Sequence, residues 1–214
     1  MGESLRVLLT AGPTREPIDP VRYLGNRSSG RMGVAISAEV LRRGWKLELV
    51  SGPTEVAFPE GEYERDRVET AAEMLAAVVR RFGGCDLLIM AAAVADYRPR
   101  AVSQTKLSRA SGHLTLELEP TADIAAEACR LRGPHQRVVG FSLEREGDLW
   151  RAETKMRNKG LDMIVYNPLG TMSSGDVTAT LLFPNCDPQP FEPMSKEKFA
   201  GVLLDHAARL FATA

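Results

Sequence analysis

At 214 residues, with 44% apolar and 26% charged residues, the chain has the make-up of an ordinary globular domain large enough to bury a core. A formal net charge of −1 argues against a nucleic-acid or anionic-membrane surface, though not against a local basic pocket. Cys85, Cys129 and Cys186 form no C-x-x-C pair and no zinc spacing with a histidine, and neither a long apolar span nor a basic-then-apolar leader is visible, so a reducing, cytoplasmic location without a membrane anchor is expected.

LRVLLTAG (5–12) is a short apolar run closed by glycine, a buried-strand pattern. PTREPIDPVRYLGNRSS (13–29) carries three prolines and no period. It is long for a strand-to-helix connection, and loops of that length in compact domains are often functional. GRMGVAISAEVLRRG (30–44) reads as a helix: Met32, Ile36 and Val40 fall four apart, and Gly44 offers a stop. KLELVSGP (46–53) is a second strand. A helix is predicted over 70–82, opened by Thr70 and Glu73 at capping-box spacing. DLLIMAAAVADY (86–97) starts as a buried strand and runs into small residues and Asp96. Residues 98–113 are basic and aperiodic. LTLELE (114–119) alternates as a half-wet strand. A helix over 121–132 holds Asp123 in its first turn. Strand 136–144, helix 147–159 and strand 161–168 repeat the theme. TATLLF (178–183) is a further strand, and Ser195 caps a last helix with Phe199, Val202, Leu203 and Leu210 on one face.

Strands alternating with helices predict an α/β fold: a mostly parallel sheet with helices on both faces. One domain over 1–214 is expected. Ligands in such sheets bind beyond the carboxyl ends of strands, at the switch point. The strand ends are TAGPTREP, VSGP, AAAVADY, GFSLE and YNP.

The loop YLGNRSSGRMG (23–33) reads G-x-x-x-x-G-R-M, not the G-K-[S/T] ending of a phosphate loop, and it lacks G-x-G-x-x-G. Ser28, Ser29 and Gly30 at a helix N-terminus, with Arg22, Arg27 and Arg31 nearby, still suit an anion. Asn26 offers a neutral donor suited to a developing oxyanion; alone, such a residue is more often a turn former. Ala91–Ala93 provide either a ligand bed or a helix contact. A strand-end Asp96 suits a ribose hydroxyl, a magnesium ion or a plain turn. Lys155 and Lys159, four apart, share a helix face and repel weakly unless phosphate or salt relieves them. Phe141 stacks on a base or fills the core. No Ser–His–Asp or Cys–His arrangement is visible.

Together, TAGPTREPIDPVRYLGNRSSGRMG, AAAVADYRP, TADI, GF at 140–141 and KMRNKGLDMIV with Asn167 resemble phosphopantothenate–cysteine ligase, the phosphopantothenoylcysteine synthetase of coenzyme A biosynthesis. The resemblance runs in order from about residue 5 to about residue 210. It implies a dimeric Rossmann-like enzyme using CTP and magnesium, with a flap and dimerisation β segment at about 98–120, in which 4′-phosphopantothenate is activated as an acyl-cytidylate and then captured by cysteine. Carried over by motif, Asn26 is the catalytic Asn, and Arg22 helps to hold an acidic substrate group. Met90, Ala91 and Ala92 bed the nucleotide, and Asp96 faces the ribose or its metal. Lys106 is the flap lysine reaching the triphosphate. Ala122, Asp123, Ile124 and Ala125 present backbone to the base, Phe141 borders it, and Lys155 and Lys159 complete the grip.

The sequence departs from the family pattern at Pro13 (TAGPT for TAGGT), at Ser108 and Arg109 where flap lysines are usual, and at GFSLE for GFAAE. Tyr166, Asn167 and Pro168 replace A-N-D. The altered flap leaves ATP as an alternative to CTP. Bacterial relatives are often fused behind a flavin-dependent decarboxylase; a chain starting at its first strand is expected either to work alone or to be an excised piece. The rival readings are an NADP-dependent reductase, opposed by the missing G-x-G-x-x-G, and a non-catalytic nucleotide-binding relative, suggested by the flap.

Overall fold

The computed structural model describes residues 4–109, 112–171 and 176–212. In chain order the strands are β1 (Arg6–Ala11), β2 (Arg15–Pro17), β3 (Tyr23–Gly25), β4 (Lys46–Ser51), β5 (Glu64–Arg67), β6 (Leu87–Met90), β7 (Tyr97–Pro99), β8 (Leu118–Pro120), β9 (Arg137–Glu144), β10 (Met163–Pro168), β11 (Asp176–Leu182) and β12 (Gln189–Ser195). The helices are α1 (Arg31–Arg42), α2 (Ala71–Phe82), α3 (Ile124–Leu131), α4 (Leu149–Lys159) and α5 (Lys196–Arg209). The main sheet has eight strands in the order β12-β11-β10-β9-β6-β1-β4-β5. From β5 to β10 every neighbouring pair is parallel; β11 and β12 join antiparallel. The chain leaves β1 toward β4 on one side and returns to β6 on the other. The switch point therefore lies between β1 and β6.

β1 explains the layering. Val7, Leu8 and Leu9 are all fully buried because both faces of the strand are covered. Val7, Leu9 and Ala11 pack with Ile36 and Val40 of α1 and with Phe199 and Leu203 of α5. Leu8 packs with Met74 and Val78 of α2, Ile124 of α3 and Met156 of α4. Each such side chain contributes about 1.5–3 kcal/mol of burial.

Sequence signals also set the helix ends. Gly44 takes φ 69° just past α1, which suits a residue without a Cβ. Thr70 Oγ1 accepts from the Glu73 amide, but the Glu73 carboxylate accepts from Glu69 N–H rather than from the cap residue itself. Ser195 caps α5 through the Lys198 amide. The buried stripe of α5 is Phe199, Ala200, Leu203, Leu204 and Ala207, so Val202 and Leu210 sit at its margin rather than its centre.

Five features depart from the expectation. The loop 13–29 contains an antiparallel ribbon of β2 and β3. β5, the charged run ERDR, is an edge strand. It is held because Arg81 of α2 binds Glu48, Glu64 and Asp66 at 2.8, 2.7 and 2.5 Å. β12, the other edge, carries Pro190 and Pro193, which blunt further pairing. The strand expected over 114–119 pairs only at Leu118–Pro120, against β7. Asp123 is the cap of α3, not a first-turn residue: its Oδ1 accepts from the Ala126 amide at 3.1 Å.

Candidate functional site

A cleft lies beyond the carboxyl ends of β1, β6, β9 and β10 and has two lobes. The larger, of about 680 Å³, is lined by residues 25–33, by Ala91–Val94 and Asp96, and by Phe141, Ser142, Leu143, Lys155, Asn167, Val177 and Lys196. The smaller, of about 310 Å³, is lined by Met90, Ala92, Val94, Asp96, Thr121, Ala122, Asp123, Ile124, Ala125, Gly140, Phe141, Lys155, Lys159, Leu161 and Ile164. Ala92, Val94, Asp96, Phe141 and Lys155 border both lobes, which makes them one continuous cleft.

The floor is the extension of β6. Ala91 N–H donates to Thr10 O at 3.1 Å, and Ala93 N–H donates to Gly12 O at 2.9 Å. The buried Thr14 accepts from the Ala95 amide at 2.9 Å, and Thr121 donates to Ala95 O at 2.6 Å. Ala91–Ala93 thus form a pinned bed facing the cleft, which favours the ligand-bed reading of these residues over the helix-contact one.

Asn26 Nδ2 donates to Val94 O at 2.8 Å. Only the amide nitrogen can face that carbonyl, so the side-chain orientation is set and one N–H stays available. Gly30 precedes α1 with φ 75°, and no side chain caps the helix. Ser28 and Ser29 reach the Gly30 and Arg31 amides only at 3.4 Å. The first-turn N–H groups therefore open, with the positive end of the helix dipole, toward the larger lobe. Arg27 and Arg31 line this lobe as well.

In the smaller lobe each lysine is tethered. Lys155 Nζ lies 2.5 Å from Glu144 Oε1, and Lys159 Nζ lies 2.9 Å from Asp123 Oδ2. Paired carboxylates, rather than phosphate or salt alone, relieve the repulsion between these cations. Burial works against the Glu144 carboxylate, but Lys155 and Ser142 outweigh it and hold its pKa below the usual range. Each ammonium keeps further donors for a ligand. The Asp96 side chain is exposed at the junction of the lobes. Among the described residues no group of three or more His, Cys, Asp or Glu is placed to hold a metal. A magnesium ion at Asp96 would take most of its oxygens from phosphate and water, which is its usual habit beside nucleotides.

Two expected residues do not line the cleft. Arg22 donates to Asp19 Oδ2 and to the Leu107 carbonyl, at 2.5 and 2.6 Å through Nη2. Lys106 is exposed beside Leu107 and lines neither lobe. Conversely, Ser142, Leu143, Asn167, Val177 and Lys196 line the larger lobe without having been singled out as site residues from the sequence. Ser142 and Asn167 stood at strand ends and could have been taken from the switch-point rule; Lys196 gave no signal. Burial pushes the thiols of Cys85 and Cys129 up to about 12 and about 11, which disfavours their reactive thiolate forms.

Comparison with known proteins agrees with the motif reading. A cysteine/cysteine sulfinic acid decarboxylase from an unknown prokaryotic organism is 44% identical over 170 residues, covering 79% of this chain and 47% of that protein. The coenzyme A biosynthesis bifunctional protein CoaBC of Bacillus subtilis is 39% identical over 173 residues, covering 81% and 42%. The chain thus spans about half the length of the curated relatives it matches. A crystal structure of the C-terminal domain of a CoaBC protein superposes with a TM-score of 0.85 at 33% identity, covering 99% of this chain and 98% of that one. Matched by the family model over residues 3–210, the chain belongs to the family of the DNA/pantothenate metabolism flavoprotein C-terminal domain.

Proposed function

We propose that the protein joins 4′-phosphopantothenate to cysteine in the cytoplasm through an acyl-nucleotide, with CTP as the activating nucleotide. The observation that carries this reading is the two-lobed cleft. It offers two anion-suited surfaces, the α1 N-terminus and the Lys155–Lys159 wall, that meet at Asp96, Ala92 and Phe141. In this reading the nucleotide occupies the smaller lobe, with its base against Phe141 and the backbone of residues 122–125. Its ribose or a magnesium ion would lie at Asp96, and its phosphates meet Lys155 and Lys159; Lys106, which lines neither lobe, would reach the triphosphate from outside the cleft. Magnesium supplies charge neutralisation on the phosphates. The acid lies in the larger lobe, its phosphate toward Ser28, Ser29 and Gly30.

A carboxylate is a poor acceptor for an amine because its leaving group would be oxide. Attack of the carboxylate oxygen on the α-phosphorus expels pyrophosphate and gives a mixed anhydride. The cysteine nitrogen then attacks the acyl carbon, the amine proton is lost, and CMP departs with the bonding pair. The free N–H of Asn26 steadies the oxyanion of that second step. Preference for CTP over ATP is set by backbone groups at residues 122–125, which can read a cytosine edge. The assay combines CTP or ATP, magnesium, 4′-phosphopantothenate and cysteine; no cysteine-dependent product with either nucleotide refutes the assignment.

The reading includes a homodimer. The two small ribbons touch through β2 and β7 and expose Val21, Tyr23, Tyr97 and Leu118 (60%, 49%, 56% and 46%), apolar side chains suited to a partner. A monomeric mass by light scattering at assay concentration would refute the dimer.

A further inference from the structure

Asp19 has a fully buried carboxylate in an otherwise exposed turn between β2 and β3. Its Oδ1 accepts from the amides of Val21 and Arg22, both at 2.8 Å, which closes the turn. Its Oδ2 accepts from Arg22 Nε and Nη2 at 2.9 and 2.5 Å and from the Leu107 amide at 3.1 Å. Arg22 in turn donates to Leu107 O, and the Ser103 amide donates to Ile18 O at 3.0 Å. Four of the five bonds to the carboxylate come from the turn and Arg22 themselves; the Leu107 amide is the one the flap segment supplies, and docking of residues 103–107 completes the set. A hydrogen bond to a charged group is worth more than one between neutral groups, so the Leu107 amide bond, with Arg22 to Leu107 O and Ser103 N–H to Ile18 O, favours the docked arrangement. Burial alone would raise the Asp19 pKa; Arg22 and the three amides reverse that and hold it well below the usual carboxylate range. Lys106 is the neighbour of the clasped Leu107, and Asn26 lies four residues beyond Arg22 along the ribbon.

We propose that Asp19 is a positioning residue for the ligation, its two oxygens clasping the flap through Leu107 and Arg22 so that Lys106 and Asn26 are held in fixed relation to one another. Asp19 itself touches no substrate. The catalytic part rests on the reading above, in which Lys106 meets the triphosphate. The clasp reassigns Arg22 from substrate binder to the link between turn and flap.

Asp19→Asn tests this in the full chain. An amide keeps one oxygen for the turn amides but turns a nitrogen toward Leu107 N–H and the guanidinium, so the turn stays and the clasp goes. Amide hydrogen exchange of residues 101–109 should then speed up by about tenfold or more, while peptides of β1 and β6 stay protected. The KM for nucleotide should rise by roughly tenfold. Cysteine capture of a preformed acyl-nucleotide should slow less, because it does not use Lys106. In a Lys106→Gln background, Asp19→Asn should add little further, since both act through one group. Leu107→Pro, which deletes the flap donor and leaves the Asp19–Arg22 pair intact, should reproduce the exchange result.

Unchanged exchange at 101–109 in both variants overturns the clasp. Faster exchange with an unchanged nucleotide KM, or with effects that add in full to Lys106→Gln, overturns positioning and leaves a structural anchor. A wild-type chain without ligase activity overturns the proposed function and the Lys106 part with it; the exchange comparison still decides whether Asp19 holds the flap.

Discussion

Gly33 lies in the first turn of α1 where that helix presses on β1. A Cβ built there would meet the Ala11 Cβ at 2.4 Å and its Cα at 3.4 Å. Carbon atoms rest at about 3.5–4.0 Å, so Gly33→Ala forces the helix back by about 1 Å or more. Ala11 is fully buried in the middle of the sheet and cannot yield. Overpacking of this kind costs about 1–3 kcal/mol, offset by up to about 1 kcal/mol of helix propensity gained over glycine. A net loss of up to about 3 kcal/mol lowers the midpoint by up to roughly 12 °C for a chain of this size. Activity should fall further than stability does. The same helix end carries Gly30 and the first-turn amides that line the larger lobe, and a misplacement of about 1 Å costs on the order of 100-fold. Calorimetry with the ligation assay well below the midpoint measures both. Ala11→Gly should restore much of each loss in the double variant, because it removes the atom that is struck. An unchanged or raised midpoint with unchanged activity would show that α1 is not seated by Gly33, and the account of the cleft's larger lobe would fall with it.

Two further outcomes are expected. Asn26→Asp sets a carboxylate against Val94 O at the present 2.8 Å contact and against the developing oxyanion, so capture by cysteine should slow about 10²–10³-fold while nucleotide affinity holds; single-turnover transfer at wild-type speed would remove Asn26 from that role. Glu39 is held at a pKa of about 2 by Arg42, against the opposing effect of burial and with help from Arg43, which also joins Asp205 of α5 at 2.7 Å. A lowered carboxylate pKa stabilises the fold above the usual glutamate value of about 4.3, and that stability fades as pH falls toward 2. Glu39→Gln should therefore lower the midpoint at pH 7 and flatten its decline over that acid window; parallel curves would refute the linkage.

What was legible in the sequence follows from which interactions are local. β1, β4, β6, β9 and β10 announced themselves because strands covered on both faces read as apolar runs, and their order placed the cleft. Gly44, Thr70 and Ser195 signalled helix ends because capping needs only neighbouring atoms. β5 gave no signal because a run of four charged residues has no apolar pattern; it exists through Arg81, on a different element. β12 was hidden by its prolines, which an edge strand tolerates. The alternation of LTLELE over-predicted a strand because alternation does not supply a partner, and β7 offers only three residues. The same division holds in the site. Ala91, Ala92 and Phe141 were legible as strand ends, whereas Met90 and Ile124 came only with the resemblance. The fate of Arg22 was not, because it depends on Leu107, 85 residues away in the chain.

The insertion between β1 and α1 explains why a dinucleotide fingerprint would be out of place. In a sheet of this order the helix after the first strand ordinarily delivers its N-terminus straight to a pyrophosphate across a short glycine turn. Here residues 13–30 intervene, and β2 and β3 within them carry Asn26 to Val94 O, so that a side-chain amide stands between the α1 N-terminus and the β6 floor. The nucleotide-suited surface is displaced to the neighbouring strand, where the start of α3 and the lysines of α4 line the smaller lobe. One crevice is thereby divided between two helix ends. A dehydrogenase needs both phosphates of one cofactor at a single helix end; a ligase needs an acid and a nucleotide brought together from opposite sides. The division at Asp96, Ala92 and Phe141 matches the second requirement, and the Asp19 clasp lies on the ribbon that creates it.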